Sequence, residues 1–468
     1  MNPKKHILAT LLAVAMTMHG ADVGQPLALH PDNRHYLVFQ GRPTVLIGSG
    51  EHYGAVMNLD FNYVRYLDTL AAQGLNHTRT FSGVYCEQAT AFNIAANTLA
   101  PAPGRYLAPW ARSDEPGYAN GGNKFDLRKW DDAYFGRLKD FVAQAAKRGI
   151  VVELDLFCPF YEDAMWRLSP MNANNNVNGL GKVARTDVHT LERHGGLLEV
   201  HEALTRKIAT ELNGFDNLYY EICNEPYFGG VTMSWQQRII DTIFDTEKKL
   251  PRRHLISLNI ANGAKKIEAP PPAVSIFNFH YANPPDAVMM NYALNRVIGD
   301  NETGFKGTGD AHYRMEGWEF ILAGGGLYSH LDYSFTVGHE DGSFQYPPSQ
   351  PGGGNPGFRK QMKVLKEFIC SFDFVRMQPD NASLRSVPPN VRARALVEPG
   401  RQYAVYLFGN APGNLILALP AGRYAVQWIN PLTGAIEREQ HLIHPGGDCT
   451  LAIPPRQQDI ALRMKTGK

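Results

Sequence analysis

The chain has 468 residues, 44% of them hydrophobic, with 46 basic against 45 acidic side chains and a formal net charge of +1. That balance supports a large folded core and excludes a disordered polyelectrolyte, and it offers no long-range field to gather nucleic acid or an anionic membrane. Five cysteines without CxxC spacing indicate neither a disulfide framework nor a zinc site, and whether Cys158 pairs with Cys223 is open.

At the start, Lys4 and Lys5 precede an apolar run from Ile7 to about Met18, with small residues near Gly20 and Ala21. This pattern predicts a secretory signal over residues 1–21 and a secreted or periplasmic protein. A membrane anchor is the competing reading, but the run falls short of the roughly 20 apolar residues that span a bilayer. Next, HYLVFQGRPT reads as a hairpin turning at Gly41 and leading into a buried strand at about Thr44 to Ile47.

A unit of amphipathic helix, Gly or polar break and apolar strand then repeats. The first helix carries Val64, Leu67 and Leu70 and stops at Gly74 before LNHTRTF; the second carries Phe135, Leu138, Phe141 and Val142 and stops at Gly149 before IVVELDLF. The third has Val200, Leu204, Ile208 and Leu212 before LYYEICNEP, and the fourth has Trp235, Ile239 and Ile243 before HLISLNIANG. SIFNFHY, RVIGDNETG and GLYSHLDYSF follow with shorter helices between them, and a last helix runs from about Phe358 to Ile369. Eight such strands predict an α/β fold, a (β/α)₈ TIM barrel over residues 22–371. Its long insertions, Ser82 to Lys129, Pro159 to Gly196 and Thr336 to Gly357, all follow strand C-termini, the face where barrel enzymes build their sites. From residue 372 to 468 short alternating strands without helices predict a small antiparallel β-sandwich packed on the barrel, with Tyr403, Tyr406, Tyr424 and Trp428 alternating into its core.

Strand four ends in Asn224, Glu225 and Pro226, and strand seven in Asp300, Asn301 and Glu302, so both glutamates point to the barrel mouth and face each other across it. One carboxylic acid to protonate a leaving oxygen and one carboxylate to attack an anomeric carbon are what glycosidic cleavage needs. A shared site holds one of them protonated, because each ionised carboxylate raises the other's proton affinity.

An Asn-Glu pair after strand four with a Glu after strand seven resembles glycoside hydrolase clan A, especially its cellulase-like family 5, over roughly residues 40 to 370. The resemblance implies that Glu225 is the acid/base, Asn224 holds the substrate 2-hydroxyl and Glu302 is the nucleophile. Arg79 resembles the arginine that steadies the nucleophile, and His280 resembles the cleft histidine. Three departures stand beside these matches. Tyr281 adjoins the histidine where the family has a tyrosine two residues on; strand eight reads His330, Leu331, Asp332, Tyr333 without the tryptophan platform; and Phe157 and Cys158 close strand three where a histidine is usual.

Further cleft candidates are Glu51, His52 and Tyr53 after strand one, Phe160, Tyr161 and Trp166 after strand three, and Tyr333 after strand eight. Aromatic rings there offer apolar faces to pyranoses. Glu51 and His52 lack a third metal ligand at sensible spacing, so neither a metal nor an organic cofactor is expected. The expected partner is a carbohydrate substrate, with no nucleic acid and no membrane. The sequence predicts a secreted retaining β-glycosidase acting on a polysaccharide or oligosaccharide; a transglycosylase, or a non-catalytic carbohydrate-binding protein on a barrel scaffold, are the alternatives.

Overall fold

In the computed structural model, which describes residues 24–467, eight parallel strands close into a barrel. They are β1 (Leu46–Gly50), β2 (His77–Phe81), β3 (Val151–Phe157), β4 (Leu218–Cys223), β5 (Leu255–Asn262), β6 (Ile276–His280), β7 (Val297–Glu302) and β8 (Leu327–Leu331). Closure joins β8 to β1, with Leu327 opposite Leu46 and Leu331 opposite Gly50. The N-terminal run read as a signal lies outside the described residues. Among the described residues, no helix is long and apolar enough to cross a membrane.

The first barrel strand lies later than its expected start at Thr44, which belongs instead to the hairpin Leu37–Phe39 and Arg42–Thr44. Its glycines read as a break because glycine weakens a strand in isolation. Here a Cβ on Gly48 would lie 2.7 Å from Ser329 Oγ, and one on Gly50 2.6 Å from Tyr66 Oη, so this tight strand admits no side chain. The hairpin stops the base of the barrel, where Leu37 and Phe39 pack with Leu46, Val151, Ile276 and Leu327.

Seven helices surround the strands: α1 (Tyr63–Ala72), α2 (Asp132–Lys147), α3 (Leu198–Leu212), α4 (Met233–Glu247), α5 (Asp286–Asn291), α6 (Asp310–Leu322) and α7 (Pro356–Cys370). Local chemistry sets their ends. The Asp131 side chain accepts from the Ala133 and Tyr134 amides, Thr232 from Trp235, and Asn355 from Phe358 ahead of a first-turn proline. Residues 263–275, between β5 and β6, carry no helix. The run Pro270, Pro271, Pro272 supplies no amide donors, which excludes one. The three long insertions follow β2, β3 and β8, and the first folds into a hairpin of Trp110–Pro116 with Asn123–Trp130.

The C-terminal strands β9 (Arg392–Glu398), β10 (Gln402–Phe408), β11 (Asn414–Leu419), β12 (Gly422–Ile429), β13 (Ile436–His444), β14 (Gly447–Ala452) and β15 (Asp459–Thr466) form two antiparallel sheets. The larger runs β9-β10-β15-β12-β13 from a short edge strand at Gln378–Pro379, and the smaller pairs Leu384–Ser386, β11 and β14. Tyr403, Tyr424 and Trp428 fill the space between the sheets, but Tyr406 does not. Three residues on from Tyr403 in a strand of period two, it points the other way and stacks on Trp318 of α6 at 5.2 Å.

Beneath that stack, Arg314 of α6 is 2% exposed and pairs with Asp459 of β15, Nε to Oδ2 at 2.7 Å and Nη2 to Oδ1 at 3.2 Å. Tyr406 donates to the same carboxylate at 2.8 Å. Truncating one partner of such a buried pair leaves an uncompensated charge and costs about 3–5 kcal/mol. Arg314→Ala is therefore expected to lower the melting temperature of barrel and sandwich together in calorimetry. A variant that melts in two separate steps, with the barrel at its wild-type temperature, would contradict this coupling.

Candidate active site

The barrel interior is filled by polar side chains two residues apart on β2, β3, β4 and β6: His77 and Arg79, Glu153 and Asp155, Tyr219 and Glu221, Asn278 and His280, all buried. Period two puts each pair on the inner face. The Arg79 guanidinium lies 2.8 Å from Asp155 Oδ2, 2.7 Å from Glu221 Oε1, 3.6 Å from Glu153 Oε1 and 3.1 Å from Glu302 Oε2. It also donates to Asn224 Oδ1 at 2.7 Å. The amides of Asn278 and Asn301 supply further donors to Glu153 and Glu221. Burial, with ionised Glu221 and Glu153 beside it, pushes the Asp155 carboxyl well above the usual range despite Arg79, so the cluster need not hold four full negative charges.

Glu302 ends β7 above this cluster. Its Oε2 accepts from the Tyr53 hydroxyl at 2.8 Å and from Arg79, and its Oε1 from the Tyr281 hydroxyl at 2.8 Å. Burial alone would raise its pKa, but His280, Arg79 and Tyr281 outweigh burial and hold the carboxyl well below the ordinary range. Glu225 follows β4 with a left-handed φ of 37°, a conformation that costs a non-glycine residue about 1–3 kcal/mol. Its Oε2 accepts from the Tyr161 hydroxyl at 2.6 Å and its Oε1 from the Tyr227 hydroxyl at 3.2 Å. His280 bridges the two acids, with Nδ1 3.1 Å from Glu225 Oε1 and 3.4 Å from Glu302 Oε1. Burial opposes the imidazolium, yet Glu302 and Glu225 lift its pKa to about 10. One oxygen of each glutamate and a ring nitrogen of His280 lie within 4.8 Å of one another. That spacing would also suit a metal ion, but hydroxyl donors are already aimed at both carboxylates, and a guanidinium at Glu302, so their lone pairs are engaged in hydrogen bonds.

A cavity of about 430 Å³ opens onto both carboxylates, its wall made of rings including Tyr53, Phe81, Tyr85, Tyr161, Tyr281 and Phe305. His52 and Asn224 line it as well, so of the residues expected to touch substrate His52, Tyr53, Asn224 and Tyr281 reach the cavity. Arg79 and His280 do not. Both are buried beneath the acids and act on them, because the inner strand faces aim them at the barrel axis below the mouth. Tyr281, although adjacent to the histidine, faces Glu302: the β6–β7 pairing slips between Phe279 and His280, and Tyr281 takes a φ of 54°. Tyr333 lies behind the lining, 6.2 Å from Phe305 and 6.1 Å from His52. Trp166 is away from the catalytic cavity, packed at a tilt against Phe160 at 4.8 Å with its indole N–H given to Val183 O, which consumes the ring in packing the second insertion.

Glu51 is buried and accepts from the Thr98 hydroxyl and from the amides of Gly54 and Ala55, holding the turn that presents Tyr53. Burial lifts its pKa to about 7 against those hydrogen bonds. Sequence reading passed over Tyr85, Glu87, Phe92, Phe228 and Phe305, which come from insertions and loops without periodicity. Cys158 and Cys223 are both buried free thiols.

Comparison with known proteins agrees with this architecture. A candidate glycoside hydrolase from Bacteroides vulgatus ATCC 8482 superposes with a TM-score of 0.69 at 16% identity, covering 96% of this chain and 83% of that one. A glycoside hydrolase family 5 protein from the same organism gives 0.62 at 15% identity, covering 94% and 93%. At such identities these likenesses speak to the fold. No curated protein sequence matches the chain. The family model for cellulase (glycosyl hydrolase family 5) matches residues 56–298, a span that takes in Arg79, Asn224, Glu225 and His280 and stops just before Glu302. The chain therefore belongs to glycosyl hydrolase family 5.

Proposed function

We propose that the protein is a retaining β-glycosidase that cleaves a polysaccharide or oligosaccharide by double displacement, Glu302 acting as nucleophile and Glu225 as acid/base. The observation that carries this reading is the approach of the two carboxylates to within 4.8 Å. Retaining glycosidases hold the pair at about 5–5.5 Å, whereas inverting ones leave roughly 6.5–9.5 Å for an intervening water. The environments also part in the required sense. Glu302 receives a guanidinium, an imidazolium and two hydroxyls, which keep it ionised for attack. Glu225 shares the His280 imidazolium but has no guanidinium beside it, and its other partners are tyrosine hydroxyls that can donate or accept.

In the first step Glu302 attacks the anomeric carbon while Glu225 gives its proton to the departing oxygen. In the second, Glu225 takes a proton from water, which displaces Glu302 and restores both groups. Asn224 reaches the cavity beside Glu225 and is fixed by Arg79 and Tyr161, well placed to take a sugar hydroxyl. The apolar run after Lys4 and Lys5 supports export of the mature enzyme.

On a panel of aryl glycosides, Glu302→Ala is expected to lose at least about 10⁴-fold in kcat, as removal of a nucleophile does. Added azide is expected to rescue it as a glycosyl azide of inverted configuration. Glu225→Ala is expected to lose about 10²–10⁴-fold, least for the best leaving groups. Rescue of the Glu225 variant as the inverted azide, with none for Glu302→Ala, would reverse the two roles.

A second prediction concerns pH. Activity requires ionised Glu302 and falls as pH drops through its depressed pKa, so the acid limb of kcat/KM lies below the usual carboxylate range. His280→Gln keeps a hydrogen-bonding group and removes the cation, leaving burial to raise Glu302. The acid limb is expected to move up by about 1–3 pH units. An unmoved limb would mean that His280 does not hold the nucleophile ionised.

A further inference from the structure

The lining of the catalytic cavity divides by origin. Beside Glu225 stand Phe228 and Asn262, with the Tyr227 hydroxyl joined to Glu225 Oε1 at 3.2 Å and to Asn262 Oδ1 at 2.5 Å. On the far side stand residues from the ends of β1 and β2 and from the first insertion, among them His52, Phe81, Tyr85, Glu87 and Phe92. Phe92, 38% exposed, stands at the rim of that side. Its ring meets Tyr161 edge-on at 5.5 Å and Phe305 at 6.3 Å, so rings from the loops after β2, β3 and β7 form one wall reaching from the neighbourhood of Glu225 to that of Glu302.

The loop bearing Phe92 is pinned from three directions. The Ala95 amide donates to Gln350 Oε1 at 2.9 Å, Asn97 Nδ2 donates to Glu87 Oε2 at 2.5 Å, and the Asn97 Oδ1 lies 3.1 Å from His52 Nδ1. No comparable wall stands over β5, where Asn262 is exposed and the helix-free loop begins.

We propose that this cavity is a blind pocket for one sugar at a chain end, so that the enzyme releases terminal units and does not cut within chains; the inference rests on the glycosidase reading above. The acid must touch the leaving oxygen, so the leaving group lies on the Glu225 side, over Tyr227 and Phe228, which is 44% exposed. The sugar being removed then points its far end at the Phe92 wall, where an internal residue of a polymer would carry its next linkage.

Glu87 reads that end. It is 5% exposed and lines the cavity, and its carboxylate accepts from the Tyr85 hydroxyl at 3.0 Å and from Asn97. A buried carboxylate is stable only when its lone pairs are well supplied, and two partners leave room for sugar hydroxyls to complete the set. The free hydroxyls of a terminal sugar are such donors.

The test uses the full-length protein on two kinds of substrate, aryl monosaccharides or unlabelled oligosaccharides, and cross-linked dyed polysaccharides. The wild type is expected to release single sugars as its first products and no soluble dyed fragments. Phe92 has a φ of 54°, which glycine adopts freely, so Phe92→Gly removes the ring without straining the loop. This variant is expected to release longer fragments and to raise KM for the aryl monosaccharide about tenfold, the worth of one lost stacking partner. Glu87→Gln is expected to raise the same KM by about tenfold with little change in kcat, as loss of a charge-assisted hydrogen bond to a bound hydroxyl does. Soluble dyed fragments from the wild type would overturn the blind pocket while leaving the glycosidase reading intact. Absence of turnover on every glycoside would overturn both, and an unchanged product pattern and KM in Phe92→Gly would remove the wall from the account.

Discussion

A guanidinium enclosed in a barrel would cost several kcal/mol if left unpaired, and four carboxylates with one amide oxygen surround that of Arg79. The arrangement explains why so many acids share one interior. Each carboxylate is tolerable only because of the cation, and the cation only because of them. Burial and the neighbouring carboxylates push Asp155 above its usual range, which eases the excess, while Arg79 contributes a fixed charge to Glu302 at the top of the cluster. The ionisation of Glu302 is thus a property of the strands below it: removing Glu221, which pairs with the same guanidinium, would alter the electrostatics at Glu302 from beneath.

Above the cluster, backbone strain gathers at the residues that face the reacting centre. Tyr53, Glu225 and Tyr281 all have positive φ. Each would relax in isolation, and each is held by hydrogen bonds that end on a catalytic carboxylate: Tyr53 and Tyr281 on Glu302, and Glu225 on Tyr161 and Tyr227. Such strain persists where surrounding contacts over-determine it. Here those contacts are the same ones that set the charge and direction of the two acids, so orientation and ionisation are fixed together.

The alternation of barrel strands, the helix rows and the strand-end positions of Glu225 and Glu302 were legible from periodicity, because a closed parallel sheet leaves a residue at a strand end few places to go. The inner cluster was written equally plainly as HxR, ExD, YxE and NxH in four strands, but its meaning depends on closure, which brings Arg79 to Glu221 across the sheet. Tyr281 shows the opposite case. Period two sends it away from the mouth, and only the slipped pairing beside His280 turns it back. The Phe92 wall was not legible at all, since its rings come from three loops whose sequences carry no period and meet only in space. Trp166 and Tyr406 were misplaced for a simpler reason: an aromatic residue signals burial, not which of two neighbouring cores receives it.

The sandwich joins this account through α6. That helix follows β7, the strand bearing Glu302, and Thr303 at the end of β7 donates to Glu316 of α6 at 2.7 Å. Two residues either way along α6, on its opposite face, lie Arg314, tied to Asp459, and Trp318, stacked on Tyr406. The barrel-facing side of the larger sheet is consumed by this contact, with Leu396, Ala404, Tyr406 and Ala461 sharing the barrel's core. That side of the larger sheet is therefore closed to a glycan. Its contacts hold α6 from the sandwich side, and the Thr303–Glu316 hydrogen bond ties that helix to the residue next to Glu302, so the appended domain is joined through one βα unit to the rim of the cavity.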